Sequence, residues 1–271
     1  MRSSAVPGTR PLAIAHRGAS DVAPENTAAA VRRAVSLGAD LVEVDVRLTR
    51  DRVPVLLHDP TLSRTTDVVQ RFPGRAPWRV RDLTLDEVRR LDAGSWKGQR
   101  WAHERVPTLD EVLRLLRGSQ ARMLLELKNP SAQPGMVEAV ADVLAAPGLS
   151  DTVVVQSFDH EAMRALKAQR PDLSVGALGR PPVRELRWIA EWASQVNPPR
   201  NRLDRAFVDE VHRWGMSSLV WTVDRPAAMR RALATGADGV ITNRLSVLNG
   251  VLERRAARHG DPRRTGAAAV P

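Results

Sequence analysis

Residues 41–58 read LVEVDVRLTRDRVPVLLH, and this stretch decides how the fold of the chain is interpreted. Its two apolar runs are separated by only seven residues, which is too few for the crossover between parallel strands. The stretch therefore predicts an antiparallel hairpin that turns near residues 49–52. If the turn is centred there, paired residue numbers sum to about 101, which places His58 opposite Glu43 and on the same face.

Two carboxylates, Glu43 and Asp45, stand two residues apart in the first strand of this hairpin. The period of two along a strand places both on one face and the neighbouring valines on the other. Like charges side by side on a strand are destabilising unless a positive group lies between them. A divalent cation would supply that positive charge. The alternative is that these acids form salt bridges and bind no metal.

Polar residues also end other apolar runs of the chain. His16 and Arg17 follow the run LAIA at 12–15, and Glu126 and Lys128 share one face of a later run, LLELK. A strand that ends in polar side chains opens to solvent at that point. The pattern therefore predicts that histidines, carboxylates and basic side chains converge on one patch at the strand ends.

Strand-like runs alternate with helical patterns along most of the chain, which indicates stacked βα units. We predict a hairpin arm at 54–58 and eight further strands, at 12–16, 41–46, 122–128, 152–156, 173–177, 194–197, 218–223 and 238–242. Helices are predicted at 27–37, 109–117, 135–145, 160–169, 183–193, 204–214 and 226–234. The segment TLDEV occurs at 84–88 and again at 108–112, and each copy predicts a capping box that opens a helix. The length of 271 residues is typical of a single α/β barrel.

The sequence resembles the glycerophosphodiester phosphodiesterase family from about residue 12 to residue 248. The motifs that carry the resemblance occur in the family's order: His16-Arg17-Gly18, Pro24-Glu25-Asn26-Thr27, Glu43-Val44-Asp45, His58-Asp59, Glu126-Leu127-Lys128, Gln156-Ser157-Phe158-Asp159, Val220-Trp221-Thr222-Val223-Asp224 and Gly239-Val240-Ile241-Thr242-Asn243. Asp224 and Asn243 depart from it, since Asn and Asp are expected there. The hairpin turn also lacks the family's usual glycine.

The resemblance implies a TIM (β/α)8 barrel whose active site lies at the carboxyl ends of the strands. Residues 11–253 would form the single barrel domain, interrupted by an insertion or lid at 59–106 after the strand that bears the His-Asp motif. The segment 254–271 is rich in arginine and is predicted to be a disordered basic tail.

The resemblance also implies roles for individual residues. His16 and His58 would be the catalytic acid and base, although a lone strand-end histidine is more often structural. Glu43, Asp45 and Glu126 form an all-oxygen set suited to Mg²⁺, Ca²⁺ or Mn²⁺. Substrate or phosphate would contact four residues, namely Arg17, Lys128, Gln156 and Trp221. The structural alternatives are ion pairs for the two basic residues and core packing for the tryptophan. Glu25 would orient neighbouring groups or simply precede the first helix.

The activity implied is metal-dependent hydrolysis of a glycerophosphodiester to glycerol 3-phosphate and an alcohol, with the two histidines as acid and base. A lysophospholipase D-type or phosphoinositide-type phosphodiesterase would use the same residues with a more apolar pocket mouth. A phosphate-binding barrel without catalysis is the non-enzyme alternative. The sequence leaves the attacking group, water or the glycerol 2-hydroxyl, open.

Composition limits the partners of the protein. The formal net charge is +10, but only three of the 41 basic residues are lysine and no basic patch is interleaved with aromatics. We therefore expect attraction of a phosphodiester anion and no nucleic-acid binding. No apolar run is long enough to span a membrane, and no apolar leader segment precedes residue 12, so a cytoplasmic location is expected. The sequence does not define an oligomeric state.

Overall fold

The computed structural model describes residues 10–259 and places nine strands among them. The strands are β1 (Leu12–His16), β2 (Leu41–Leu48), β3 (Pro54–Leu56), β4 (Arg122–Leu127), β5 (Val153–Ser157), β6 (Ser174–Leu178), β7 (Gln195–Asn197), β8 (Leu219–Val220) and β9 (Gly239–Thr242). Every predicted strand is present, with β3 and β8 shorter than expected. Eight strands form one parallel sheet, whereas β3 pairs only with β2 and is antiparallel to it.

The parallel sheet closes into a barrel. Its strand order is β7-β6-β5-β4-β2-β1-β9-β8, and backbone bridges join the two ends of this order. Gln195 bridges to Ser217 and Pro199 to Trp221, both in parallel orientation. The amide of Arg200 also donates a hydrogen bond of 2.7 Å to the Trp221 carbonyl. The predicted TIM (β/α)8 barrel is confirmed.

Ten α-helices are described between residues 10 and 259. They are α1 (Ala28–Ser36), α2 (Val68–Arg71), α3 (Leu85–Arg89), α4 (Leu109–Leu116), α5 (Met136–Val143), α6 (His160–Gln169), α7 (Leu186–Ile189), α8 (Arg205–Arg213), α9 (Pro226–Ala234) and α10 (Leu245–His259). Both TLDEV segments form the predicted capping boxes, at the starts of α3 and α4. The helix predicted at 183–193 is instead a 3-10 turn followed by the short α7. No helix in the described range is long and apolar enough to cross a membrane.

The hairpin forms, but its predicted register is wrong by one residue. Val46 pairs with Leu56 and Leu48 pairs with Pro54. The turn between them, residues 49–53, is closed by a 3.1 Å hydrogen bond from the first amide to the last carbonyl of that segment. This turn fixes the register, because turn length determines which residues of a hairpin face each other.

As a consequence, His58 does not pair with Glu43. A shift of one residue would carry a strand residue to the opposite face of the sheet. Strand β3 ends at Leu56, the amide of Leu57 still donates to the carbonyl of Asp45, and the chain bends from His58 onwards. The turn contains Arg52 with a φ of 62°, a left-handed conformation that glycine adopts at lower cost. In this turn, an arginine therefore occupies a backbone conformation in which a glycine would be less strained.

The insertion at 59–106 and strand β3 together form a hydrophobic cluster that is separate from the main barrel core. The buried members of the cluster are Val55, Leu57, Leu62, Val68, Val80, Leu83, Val88, Leu91, Ala93 and Val106. Polar contacts fix the insertion against the start of the barrel. Glu104 accepts a hydrogen bond of 3.1 Å from the amide of Ala29, and the ammonium of Lys97 donates one of 2.6 Å to the carbonyl of Ser20.

The predicted start of the C-terminal tail at residue 254 is wrong. Helix α10 continues to His259, so the first part of the predicted tail is helical. The physical reason is the apolar face of this helix, on which Leu245, Leu248, Val251 and Leu252 are buried against the barrel core. Basic residues on the exposed side do not interrupt that face. The remainder of the predicted tail, residues 260–271, lies outside the described residues.

Candidate active site

The site is built on one layer of the barrel interior. Apolar side chains from six strands form the layer beneath it: Ile14, Leu41, Leu124, Val154, Leu219 and Ile241. Because alternate residues of a strand face the same side, the next inward position on each strand lies one layer closer to the carboxyl ends. Those positions are occupied by His16, Glu43, Glu126, Gln156, Trp221 and Asn243. Packing of the apolar layer therefore fixes the positions of this ring of polar and aromatic side chains, which lies nearer the carboxyl ends of the strands.

One cavity brings most of the sequence-predicted site residues together. It measures about 500 Å³ including its open mouth, and eight of the nine predicted residues line it. The exception is Asp45, whose side chain is 1% exposed and lies against Lys128 and Arg17. Phe158, Leu178 and Ile241 add apolar side chains to the charged groups that line this cavity.

Glu43, Asp45 and Glu126 form a compact carboxylate cluster. One oxygen from each lies within 4.8 Å of the others, and the three residues are 2%, 1% and 8% exposed. Burial and then the charge of Asp45 raise the pKa of both glutamates. Burial opposes ionisation of Asp45 as well, but the neighbouring Lys128 and Arg17 hold its pKa below the usual range. A buried all-oxygen set with excess negative charge fits a hard divalent cation.

Lys128 and Arg17 supply positive charge beside these carboxylates. The Lys128 ammonium lies 2.6 Å from a Glu126 oxygen and 3.2 Å from an Asp45 oxygen. The backbone amide of Arg17 donates to Glu43 at 2.8 Å, and its guanidinium contacts Asp45 at 3.3 Å. Both side chains also line the cavity, so they can reach a bound anion.

The conformation at the end of β1 aims Arg17 into the site. Arg17 has a φ of 57° and Gly18 a φ of 77°. A Cβ atom at Gly18 would lie 2.6 Å from the carbonyl carbon of Ala30, so this position requires glycine. The Arg17 guanidinium donates a 2.8 Å hydrogen bond to Glu25, which therefore does orient a neighbouring site residue.

His16 is held by an amide side chain. Its Nδ1 lies 2.6 Å from Oδ1 of Asn243, and Nδ2 of Asn243 donates to the Asp224 carboxylate at 2.9 Å. Because a carboxylate only accepts hydrogen bonds, it fixes the amide with its oxygen towards the histidine. His16 therefore carries its proton on Nδ1 and leaves Nε2 free as an acceptor. Burial, and then the charge of Arg17, lower the pKa of His16.

His58 is held by a carboxylate instead. Its Nδ1 lies 2.6 Å from Oδ1 of Asp59. Burial lowers the pKa of His58, and the charge of Asp45 and the hydrogen bond to Asp59 only partly oppose this. Asp59 in turn accepts a 2.5 Å hydrogen bond from Nε of Arg64, whose other two nitrogens bind both oxygens of Glu25 at 2.7 and 3.0 Å.

The remaining predicted residues, Gln156 and Trp221, are positioned by Asn197. The amide nitrogen of Asn197 donates to Oε1 of Gln156 at 2.8 Å, and the indole nitrogen of Trp221 donates to the Asn197 carbonyl at 2.8 Å. The Trp221 ring meets Phe158 edge to face with centroids 5.6 Å apart. Trp221 thus lines the cavity as predicted, and Phe158 extends the aromatic wall.

Three residues that support the site were not assigned to it from the sequence: Asn26, Arg64 and Asn197. Asn26 donates to Asp45 at 2.9 Å and accepts a hydrogen bond from the Asp45 amide at 3.1 Å. Its place in the Pro-Glu-Asn-Thr motif was the available signal, whereas Thr27 alone caps α1. Arg64 and Asn197 lie in segments with no distinguishing pattern, and only the folded chain brings them to their partners.

Comparison with known proteins gives a consistent result. The model of the glycerophosphoryl diester phosphodiesterase family matches residues 16–247. The glycerophosphodiester phosphodiesterase of Caldanaerobacter subterraneus is 35% identical over 240 residues, which cover 86% of this chain and 93% of the relative. The Bacillus subtilis glycerophosphodiester phosphodiesterase is 31% identical over 254 residues, covering 86% of this chain and 84% of the relative.

A solved structure shares both the fold and part of the sequence. It is an Oleispira antarctica phosphodiesterase in complex with the product sn-glycerol-3-phosphate, with a TM-score of 0.80 and 29% identity over 90% of this chain and 97% of that chain. Fold and pocket together define a barrel enzyme that hydrolyses phosphoric diesters. The chain belongs to the glycerophosphoryl diester phosphodiesterase family.

Proposed function

We propose that this enzyme hydrolyses glycerophosphodiesters to glycerol 3-phosphate and an alcohol in a reaction that depends on a divalent cation and on two histidines. The observation that carries the proposal is the shared cavity, in which His16 and His58 stand beside the cluster of Glu43, Asp45 and Glu126. Acid, base and anion-binding groups are thus available within one pocket.

The three carboxylates would hold Mg²⁺, Ca²⁺ or Mn²⁺, and the bound cation would stabilise negative charge on the phosphate. Arg17 and Lys128 bind the phosphate oxygens and orient the diester. The aromatic wall formed by Trp221 and Phe158 packs against the apolar edge of the glycerol group.

The partners of the two histidines suggest which is base and which is acid. His16, whose Nε2 is free and whose neighbour is a neutral amide, accepts the proton of the attacking hydroxyl group. His58, whose imidazolium form is stabilised by Asp59, donates a proton from Nε2 to the leaving oxygen. The P–O bond to the alcohol breaks as the bond to the attacking oxygen forms.

The test is an assay of the purified chain with glycerophosphocholine, glycerophosphoethanolamine and lysophosphatidylcholine, each with excess chelator and with a series of divalent cations. We expect release of glycerol 3-phosphate from the first two and loss of activity in chelator. Turnover of lysophosphatidylcholine alone would favour the lysophospholipase D-type alternative. Phosphorus NMR of the products would reveal a cyclic glycerophosphate if the glycerol 2-hydroxyl attacks. Full activity in chelator would contradict the metal dependence.

A further inference from the structure

A second cleft opens beside the active-site cavity, between the insertion and the loop after β4. It measures about 530 Å³ including its mouth. Three arginines line it, Arg47, Arg79 and Arg81, together with Asn129 and several uncharged residues. No aspartate or glutamate of the described range lines this arginine cleft.

Within the described range, none of the three guanidinium groups forms an ion pair, although the charges of Asp45, Asp59 and Glu126 act on the buried Arg47. Arg47 is 7% exposed, and its Nε and Nη2 donate to the carbonyl of His58 at 2.9 and 2.7 Å. Within residues 10–259, its Nη1 has no hydrogen-bond acceptor and Arg79 forms no ion pair. The one side-chain contact of Arg81 is a 3.4 Å hydrogen bond to the carbonyl of Ala132. Because the exposed Arg79 and Arg81 form no ion pair in the described range, this concave surface attracts an anion, and planar guanidinium groups suit phosphate oxygens.

The arginine cleft borders the active site on one particular side. Arg47 binds the backbone of His58, and Asn129 directly follows Lys128, which lines the cavity. If His58 protonates the leaving oxygen, the alcohol departs towards this side. A second charged group on that alcohol would then face the three arginines.

We propose that the arginine cleft binds a phosphate monoester carried by the leaving alcohol, so that the preferred substrates are glycerophosphodiesters with a second, terminal phosphate. The proposal rests on the proposed function and names the substrate class of the same site. The second phosphate takes no part in the reaction. It adds binding that a neutral or cationic alcohol lacks.

The test compares glycerophosphoinositol with glycerophosphoinositol 4-phosphate, which differ only by the monoester. We expect kcat/KM of the wild type to be at least about tenfold higher for the phosphorylated substrate, given the strength of charge-assisted hydrogen bonds. The double variant R79A/R81A should lose that preference and retain its kcat/KM for glycerophosphoinositol. The control R90A/R230A removes the same charge from exposed positions outside the cleft and should keep the preference.

Direct binding separates this proposal from the proposed function. Calorimetry on the wild type and on R79A/R81A uses the same two compounds and needs no turnover. Tighter binding of the phosphorylated compound, lost in R79A/R81A only, supports the cleft even if no diester is hydrolysed. Equal binding and equal kcat/KM for the two compounds overturn the proposal. The proposal is also overturned if inorganic phosphate inhibits the wild type but not R79A/R81A while the wild type shows no preference between the two substrates. The cleft would then be a site for free phosphate.

Discussion

His16 and His58 both line the cavity but differ in the charge of their partners. His16 contacts the amide oxygen of Asn243, whereas His58 contacts the carboxylate of Asp59. A carboxylate partner stabilises the imidazolium form and an amide oxygen does so much less. At the scale of the residue, this difference is the basis of the proposed assignment of His16 as base and His58 as acid, which the sequence alone left open.

The assignment can be tested with leaving groups of different basicity. We expect H16N and H58N each to lower kcat for glycerophosphocholine by about 10²–10⁴, the usual range for acid–base steps. A nitrophenyl diester needs no proton on its leaving oxygen, so it should restore much of the activity of H58N and little of that of H16N. The wild-type enzyme, assayed with both substrates, is the reference. The same response of both variants would contradict the assignment.

Asp224 and Asn243 offer a second test at this scale. The exchange variant D224N/N243D keeps one amide and one carboxylate but moves the carboxylate next to His16. We expect the pKa of His16 to rise, because an adjacent negative charge favours its protonated form. The acidic limb of the kcat/KM–pH profile should then move upwards by about one unit. An unchanged profile with normal folding would show that the identity of this partner does not matter.

Most site residues could be predicted because they belong to strands. Alternation along β1, β2 and β4 places polar residues two positions after interior apolar ones, a pattern visible in the sequence. Arg64 and Asn197 could not be predicted in the same way. Their contacts join segments 39 and 41 residues apart, and no local periodicity encodes such pairings.

At the scale of elements, the insertion is linked to the active-site cavity through Arg64, which contacts the partners of two cavity-lining residues. This side chain lies in the insertion and binds Asp59, the partner of His58, and Glu25, the partner of Arg17. One guanidinium therefore connects the insertion to both sides of the site. The planar fork of arginine can satisfy two carboxylates at once, which a lysine ammonium does less well.

Replacement of Arg64 should weaken acid catalysis. We expect R64A to lower kcat for glycerophosphocholine by about tenfold or more, because Asp59 is then free to leave His58, and R64K to retain part of the activity. The loss should be smaller with the nitrophenyl diester, which does not need the acid. R71A removes an exposed ion pair of the same insertion and should have no effect. An equal loss with both substrates would indicate a structural role only.

The errors of the sequence-based fold prediction also lie at this scale. Apolar runs located every barrel strand, but the register of the hairpin depends on the turn at 49–53, where Arg52 adopts a left-handed conformation that its residue type disfavours. Helix α10 was missed because its arginine-rich second half suggested a tail. Burial of its apolar face against the barrel outweighs that composition.

At the scale of the whole molecule, charge in the pocket opposes the positive charge of the protein. The three clustered carboxylates outnumber the two basic side chains that contact them, Arg17 and Lys128, by one. With all three ionised, that local excess would repel a phosphodiester anion although the chain has a net charge of +10, and burial and the charge of Asp45 oppose this ionisation by raising the pKa of both glutamates. A divalent cation would reverse the local sign, so substrate binding and fold stability should both depend on it.

This dependence can be measured as thermal stability. A cation at a hundredfold excess over its Kd should stabilise the native state by about 2.7 kcal/mol, which corresponds to a rise in Tm of several degrees for a domain of this size. In chelator, E126Q should melt close to the wild-type temperature, because it removes a carboxyl group whose pKa is raised by burial and by Asp45 but also removes the ion pair of that group with Lys128. With Mg²⁺, Ca²⁺ or Mn²⁺, the Tm of the wild type should rise, and the Tm of E126Q should rise much less. The exposed Glu138, on α5, provides the control variant E138Q, which should behave as the wild type. A wild-type Tm that no divalent cation changes, or an E126Q variant that the cation stabilises as much as the wild type, would contradict a cation site at these carboxylates.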